Sequence, residues 1–327
     1  MLPTSDFFAG LGGFSEGALQ AGADVRYAAN HNDLAVHYHE RNHPEVRVVQ
    51  QDLQQADMGD IGEPQLLVAG PSCQGFSSAS NPSRAGTGGN GWVDASKAAR
   101  RSELQRSTMW AVTAAAEVAR PRHLLVENSP RVLKWELLPA WTQALRLLGY
   151  QVQEHVLHAP RYGTASDRRR AIITATLDPE PIVLQDSWGD HRATLRDCLT
   201  LDPDEAPEGT EWIPVSAKPQ RTRDLILDRQ TNAGLRDEWG LLNNVGDGVR
   251  MRSLDDRSPT LTTKSGGQLM LVLGDRTRML SNRELANLMG FPQDYVLPTD
   301  RADAAKLIGN AIPVPLAKGI VEQVLNR

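Results

Sequence analysis

Apolar positions along the first half of the chain alternate between two rhythms. Short, nearly unbroken apolar runs (VRYAAN at 25–30, QLLVAG at 65–70, HLLVEN at 123–128) read as strands buried on both faces. Between them lie longer stretches with helical spacing, which predict helices over Phe14–Gln20, 33–42, 107–119 and 136–149, stopped by Gly22, by Pro44 or by a polar break. TSDFFAG, VRVVQQDL, YQVQEHVLHA and RRAIITATL supply further strands. Strands that alternate with helices of this length imply an α/β fold, a mostly parallel, doubly wound sheet covered on both faces. Ligands of such a sheet sit at the carboxyl ends of its strands, and Gly10, Cys73 and Glu127 all fall at such ends.

The rhythm is lost near residue 180. DPEPIVLQDSWGDH and LDPDEAPEGTEW are acidic, rich in proline and poorly periodic. From Ala217 to Gly274 come short strand-like pieces broken by Gly and Asn and carrying many arginines, which predicts a second, smaller, β-rich domain. SNRELANLMGF then reads as a helix with Ser281 as N-cap and Glu284 three residues on, a capping box. A last helix, VPLAKGIVEQVLN, follows GNAIP. The division expected is therefore 1–178 for the first domain, completed by 300–327, with 179–299 as the second domain and hinge.

Composition adds mainly exclusions. A chain of 327 residues can bury a sizeable core without disulfides, and its two cysteines form no CxxC or His/Cys cluster, so neither a disulfide scaffold nor a metal site is expected. No apolar run is long enough to span a membrane, and the N-terminus lacks the pattern of a signal peptide; the expectation is a soluble, cytoplasmic protein. A net charge of −5 means that any contact with nucleic acid must use local basic patches.

Candidate chemistry gathers at the strand ends. DFFAGLGGF is a glycine turn without the full G-x-G-x-x-G spacing, so it is either a ligand cradle or merely a tight turn. Asp52 ends the third strand, placed to accept from an amino or hydroxyl group. Cys73, in PSCQGFS, is either an inert packing thiol or an exposed nucleophile. Glu127 closes a buried strand, where a lone carboxylate must find a partner. A thiol and a carboxyl at neighbouring strand ends suit nucleophilic addition assisted by a proton donor.

Taken in order, FAGLGG, PSCQGFS, ENS, YGTASDRRR, RSPTLTT, RMLSNRELANLMGFPQDY and GNAIPVPLA resemble the successive motifs of the DNA (cytosine-5)-methyltransferases, over nearly the whole chain. The resemblance implies a Rossmann-like, S-adenosylmethionine-dependent catalytic domain and a small β-rich target recognition domain. It implies Cys73 as the nucleophile that adds to cytosine C6, Glu127 at the base edge, and Arg168 and Arg170 at the base and its phosphate. For the cofactor it implies Phe8, Gly10, Leu11 and Gly12 at the turn, Asn30, His31, Asp52, Leu53 and Pro71 at the following strand ends, and Asn310 and Ala311 in the last motif. Gln74, Ser77, Arg84, Arg106, Lys264, Gly266 and Gly267 match positions facing DNA. No metal is implied. The implied partner is double-stranded DNA, whose target base must be flipped out of the stack, with room for a cognate restriction endonuclease; the enzyme is expected to be a monomer.

The chain departs from the family pattern where Glu and an aromatic usually follow the second strand; here stand Asn30 and His31, with Ser72, Ser129 and Ser166 replacing Pro, Val and Gln elsewhere. None of these removes a reacting group. The Gly-rich stretch from 78 to 105, with Trp92, reads as a surface insertion or as a lid over DNA. Two other functions share these motifs: a tRNA cytosine methyltransferase, against which the absence of a Cys-Phe-Thr segment speaks, and a catalytically silent cofactor- or DNA-binding homologue.

Overall fold

The computed structural model describes residues 1–76, 100, 102–187, 193–236, 238–243 and 250–327. The chain forms two compact units, one of Met1–His158, Arg169–Ser187 and Ala317–Arg327, the other of Ala159–Arg168 and Trp188–Leu316. The first unit is thus re-entered at Ala317, later than the 300 expected, and the YGTASDR segment belongs to the second unit.

The first unit is built on seven strands: β1 (Pro3–Phe7), β2 (Asp24–Asn30), β3 (Arg47–Gln50), β4 (Leu66–Ala69), β5 (His123–Asn128), β6 (Gln151–His158) and β7 (Arg169–Thr176). Their order is β3-β2-β1-β4-β5-β7-β6. Pairings from β3 through β5 are parallel, whereas β7 runs antiparallel to both β5 and β6. Every residue of β4 and β5 is buried, as their unbroken apolar runs require. The polar β6 lies at an edge. Because β1 is flanked by β2 on one side and β4 on the other, the winding reverses there and opens a crevice beyond their carboxyl ends.

Helices α1 (Gly13–Gln20), α2 (Asp33–Asn42), α3 (Met109–Val118) and α4 (Leu138–Leu147) accompany these strands. Asn32 caps α2, its side-chain oxygen accepting from Ala35 N at 2.9 Å. Trp141 on α4 is fully buried and donates from Nε1 to Met109 O at 2.9 Å, which ties α4 to the first turn of α3. α3 is largely small residues on its buried side (Ala111, Ala115, Ala116), so it can lie close against the core formed by Leu67, Leu124, Val126 and Ile173.

The second unit holds a five-stranded antiparallel sheet of β8 (Ile213–Pro214), β9 (Trp239–Asn243), β10 (Arg250–Ser253), β11 (Leu269–Leu273) and β12 (Arg276–Met279), in the order β10-β9-β11-β12-β8. It also holds α5 (Gln220–Ala233), α6 (Asn282–Asn287) and α7 (Arg301–Asn310), and α8 (Val314–Leu325) begins in it. The strand-like reading of 217–274 therefore needs correcting at α5. Only Ile226 and Gln230 of this 14-residue helix are buried, so its apolar stripe is too thin to show as a helical period. Ser281 and Glu284 do form the expected capping box.

Candidate active site

Cys73 is held by its neighbours' backbone. Asn128, the last residue of β5, donates from Nδ2 to Pro71 O at 3.0 Å while its Oδ1 accepts from Ser129 N at 2.8 Å. From the other side Ser72 N donates to Thr108 Oγ1 at 3.1 Å. A short 3₁₀ turn (Gln74–Phe76) follows, with Phe76 N donating to Cys73 O at 3.0 Å. A Cβ at Gly75 would lie 2.6 Å from Ser102 O, so that position admits only glycine. The thiol itself is half-buried and reduced. A half-buried thiol on a backbone fixed from three directions is displayed rather than packed away.

Glu127 stands one residue before this strut and is 7% exposed. Its charge is met by Arg170, whose Nε makes an ion pair with Oε1. The antiparallel course of β7 makes this contact: Asn128 faces Ala171, so Arg170 emerges beside the carboxyl end of β5. The other carboxyl oxygen lies over Gly70, where a Cβ would sit 3.7 Å from Oε2 and 3.9 Å from Phe8 O. Gly70 thus leaves open space between the carboxylate and the glycine turn. Arg168 has a different setting from the one expected. It is 1% exposed and, within the second unit, donates to Leu261 O at 2.9 Å and Gly309 O at 2.8 Å, as a strut between RSPTLTT and GNAIP.

The glycine turn after β1 is shaped by left-handed backbone at Phe8 (φ 60°), Gly10 (φ 55°) and Gly12 (φ 96°), which turns the chain sharply into α1. The side chains of Leu11 and Leu53 are buried, which leaves only their backbone for contact with a ligand. His31 and Asp52 are exposed beyond β2 and β3, and Asn30 accepts from Asn32 N at 2.9 Å through Oδ1. These groups line the carboxyl ends of adjacent parallel strands, with Asn30 opposite Gln50 in register. A positive-φ cradle, a row of polar groups and an exposed acid fit an adenosine-bearing cofactor. Beneath the turn, the Ser15 hydroxyl donates to buried Asp6 at 2.8 Å, and burial pushes that carboxyl up to about 7. His39, beside the Gly10 backbone, is pushed down to about 3 by burial and then by His43, itself lowered to about 4 by burial.

A family model described as C-5 cytosine-specific DNA methylase matches residues 2–326. The chain belongs to this family. It is a DNA (cytosine-5)-methyltransferase. Among curated relatives, the type II methyltransferase M.NlaX of Neisseria lactamica is 26% identical over 99% of this chain and 96% of its own, and M1.HphI of Haemophilus parahaemolyticus is 25% identical over 98% and 86%. Among solved structures, Entamoeba histolytica EhMeth (TM-score 0.68, 14% identity, covering 100% of this chain and 98% of its own) and Schizosaccharomyces pombe Dnmt2 (0.66, 18%, 99% and 98%) share the fold. The Rossmann-like methyltransferase architecture expected from the sequence is the one observed.

Within this methyltransferase the remaining motif residues divide by exposure. In the second unit Lys264 and Gly267 are exposed, with nothing within 4 Å of a Cβ at Gly267, whereas Gly266 is packed against Ala305 and Arg301 of α7. Asn310 is exposed at the end of α7 and Ala311 is buried. Gly309 meets the backbone of Thr262, where a Cβ would be 2.4 Å from the carbonyl carbon. Ser77 and Arg84, and most of the Gly-rich stretch with Trp92, lie outside the described residues. Sequence reasoning missed Asn128 and Thr108 as supports of the Cys73 loop; Asn128 stands within the ENS motif, but only the fold shows which backbone groups the two residues reach.

Proposed function

We propose that the protein methylates C5 of cytosine in one short duplex DNA sequence, with the target base flipped out of the helix and Cys73 adding to its C6. The observation that carries this reading is a displayed thiol beside a carboxylate held by an arginine, at the crevice of a cytosine-5 methyltransferase fold. Cytosine C5 is too weakly nucleophilic to take a methyl group unaided. Attack of the Cys73 thiolate on C6 forms an S–C6 bond and moves the C5–C6 electron pair into the ring, toward C5 and N3. Glu127, oriented by Arg170, hydrogen-bonds the N3 and amino edge and stabilises the charge that develops there. The Phe8–Gly12 turn, Asn30, His31 and Asp52 would hold S-adenosylmethionine, with Asn310 and Ala311 assigned to the same cofactor from their motif; bound there it would supply an electrophilic methyl to C5, the sulfonium–methyl bond breaking to leave S-adenosylhomocysteine. Loss of the C5 proton to a base restores the C5–C6 double bond and breaks S–C6, returning Cys73 as thiolate.

In this reading residues 1–178 and the C-terminal segment carry the chemistry, and the second unit reads the sequence. Lys264 and the Gly266–Gly267 turn face the DNA there, and Arg106 faces it beside the nucleophile, with Gln74 assigned to DNA from its motif alone; Arg170, rather than the enclosed Arg168, serves the base. The relatives' naming as type II methyltransferases supports action on DNA in the cytoplasm, beside a cognate restriction endonuclease; the enzyme acts there as a monomer on duplex DNA in this reading. Cys73→Ser tests the assignment: methyl transfer to DNA falls below detection while S-adenosylmethionine binding, by calorimetry, stays within twofold. Retained transfer in that variant overturns it.

A further inference from the structure

Alongside the catalytic turn the first unit opens a cleft of about 540 Å³, lined by Gly75, Phe76, Arg106, Trp110, Arg131, Lys134 and Trp135 among others. Phe76 is three residues past Cys73, so by chain length the cleft wall begins within roughly 11 Å of the nucleophile. Two chemistries meet in it. Trp135 packs edge-on against Phe76 (centroids 5.7 Å, 70°) and against Trp110 (6.4 Å, 69°), and Trp110 keeps 38% of its surface exposed. Arg131 and Lys134 lie in the 3₁₀ turn Pro130–Lys134, where residues three apart project from the same edge. Val132 of that turn is fully buried and anchors it. Arg106 lies across Gly75, its Cγ 2.9 Å from where a Cβ would be. Three cations stand against two carboxylates, Glu103 and Glu136. Among the described residues none of the three cations is held in an ion pair.

We propose that this cleft binds an unpaired nucleotide of the DNA strand that carries the target cytosine, its base on the Trp110–Trp135 surface and its phosphate on Arg131 and Lys134. Cations that follow a backbone, interleaved with aromatic surface, are the combination that holds single-stranded nucleic acid; paired DNA offers its phosphates to the cations but no open base face to the tryptophans. A volume of about 540 Å³ is in the range of pockets that take a ligand of this size. The inference rests on the DNA-methylating reading, because flipping a base leaves its neighbours unstacked beside the nucleophile. It gives the enzyme a second hold on the strand that opens.

The test is photocross-linking of the full chain to a mixed-sequence single-stranded oligonucleotide carrying 5-iodouracil, with peptide mapping and with the corresponding duplex as comparison. The expected result is an adduct on Trp110 or Trp135, at least tenfold more abundant with the single strand than with the duplex. In the charge-reversal variant Arg131→Glu/Lys134→Glu, at two exposed positions, the yield falls at least tenfold while S-adenosylmethionine binding stays within twofold. Adducts mapping only elsewhere, or an unchanged yield in the variant, overturn the proposal. Methyl transfer to mixed genomic DNA is measured in parallel on the unaltered protein. Its absence would sink the methylating reading while leaving the cross-link map to judge the cleft by itself.

Discussion

Replacing Asn128 by alanine tests whether its hydrogen bonds set the position of the Cys73 thiol. The substitution deletes the donor to Pro71 O and the acceptor for Ser129 N. Asn128 is 1% exposed and Pro71 is buried, so the orphaned carbonyl finds little water, whereas half-buried Ser129 can recover part of its loss. A buried group left unpaired costs about 1–3 kcal/mol, so the first unit loses roughly 2 kcal/mol. For a unit of this size that lowers Tm by roughly 4–8 °C. Catalysis suffers more, because the freed carbonyl belongs to the segment that aims Cys73, and a shift of about 1 Å at a reacting atom costs about 10²-fold. The assay is single-turnover methyl transfer beside a thermal melt, with cofactor binding as control. The expected pattern is a fall in kcat of roughly tenfold to a hundredfold, with the dissociation constant for S-adenosylmethionine within threefold of the parent. Asn128→Asp, which keeps the acceptor for Ser129 but loses the donor, falls comparably. A variant with kcat within twofold and an unchanged melt would show that the strut does not set the thiol, and would refute the reasoning.

Stability in acid follows from the buried histidines. His39 and His43 are held neutral in the fold, at about 3 and about 4, against about 6.5 for an unfolded chain. Their contribution is complete above about pH 7 and is lost as pH falls through 6.5 toward the folded values, while Asp6, raised to about 7, acts in the opposite sense above about pH 4. Two groups against one leave a net uptake of about one proton on unfolding between roughly pH 4 and 6.5, so stability falls as pH falls, by on the order of 1 kcal/mol per unit. Tm therefore drops from pH 7 to pH 5 and His39→Gln flattens the drop; a Tm equally pH-dependent in that variant would contradict the assignment. Glu284→Gln leaves the fully buried Arg278 guanidinium without its bidentate carboxylate (2.8 Å to each nitrogen), and the second unit loses about 3–5 kcal/mol. Calorimetry in two transitions, with cofactor binding retained, checks it; a loss under 1 kcal/mol would contradict it.

What could be read ahead of the structure was what leaves a periodic or compositional trace. β4 and β5 are buried on both faces, so LLVA and HLLVEN are legible as strands, and the capping box at Ser281 announces α6. α5 is not legible, because a helix burying two of fourteen side chains leaves almost no stripe. α7 was missed too, although Asp300 signals its start by accepting from Asp303 N at 2.9 Å. At the site, Cys73 and Glu127 stand out as chemistry at strand ends, but pairing Glu127 with Arg170 needs the antiparallel β7, a fact of register. Arg168 shows the reverse case. The motif places two arginines two residues apart, and only the fold separates the one that faces a carboxylate from the one enclosed among carbonyls.

The central claim is that Cys73 attacks cytosine C6 in DNA, and a covalent trap tests it most directly. Duplex DNA of varied sequence carrying 5-fluorocytosine in place of cytosine is incubated with the protein and S-adenosylmethionine, and a denaturant-resistant adduct is sought by mass spectrometry. Fluorine at C5 blocks the loss that would release the enzyme, so the account predicts an adduct on the Cys73 peptide carrying one added methyl. An adduct on another residue, or none while methyl transfer to ordinary DNA proceeds, would contradict it.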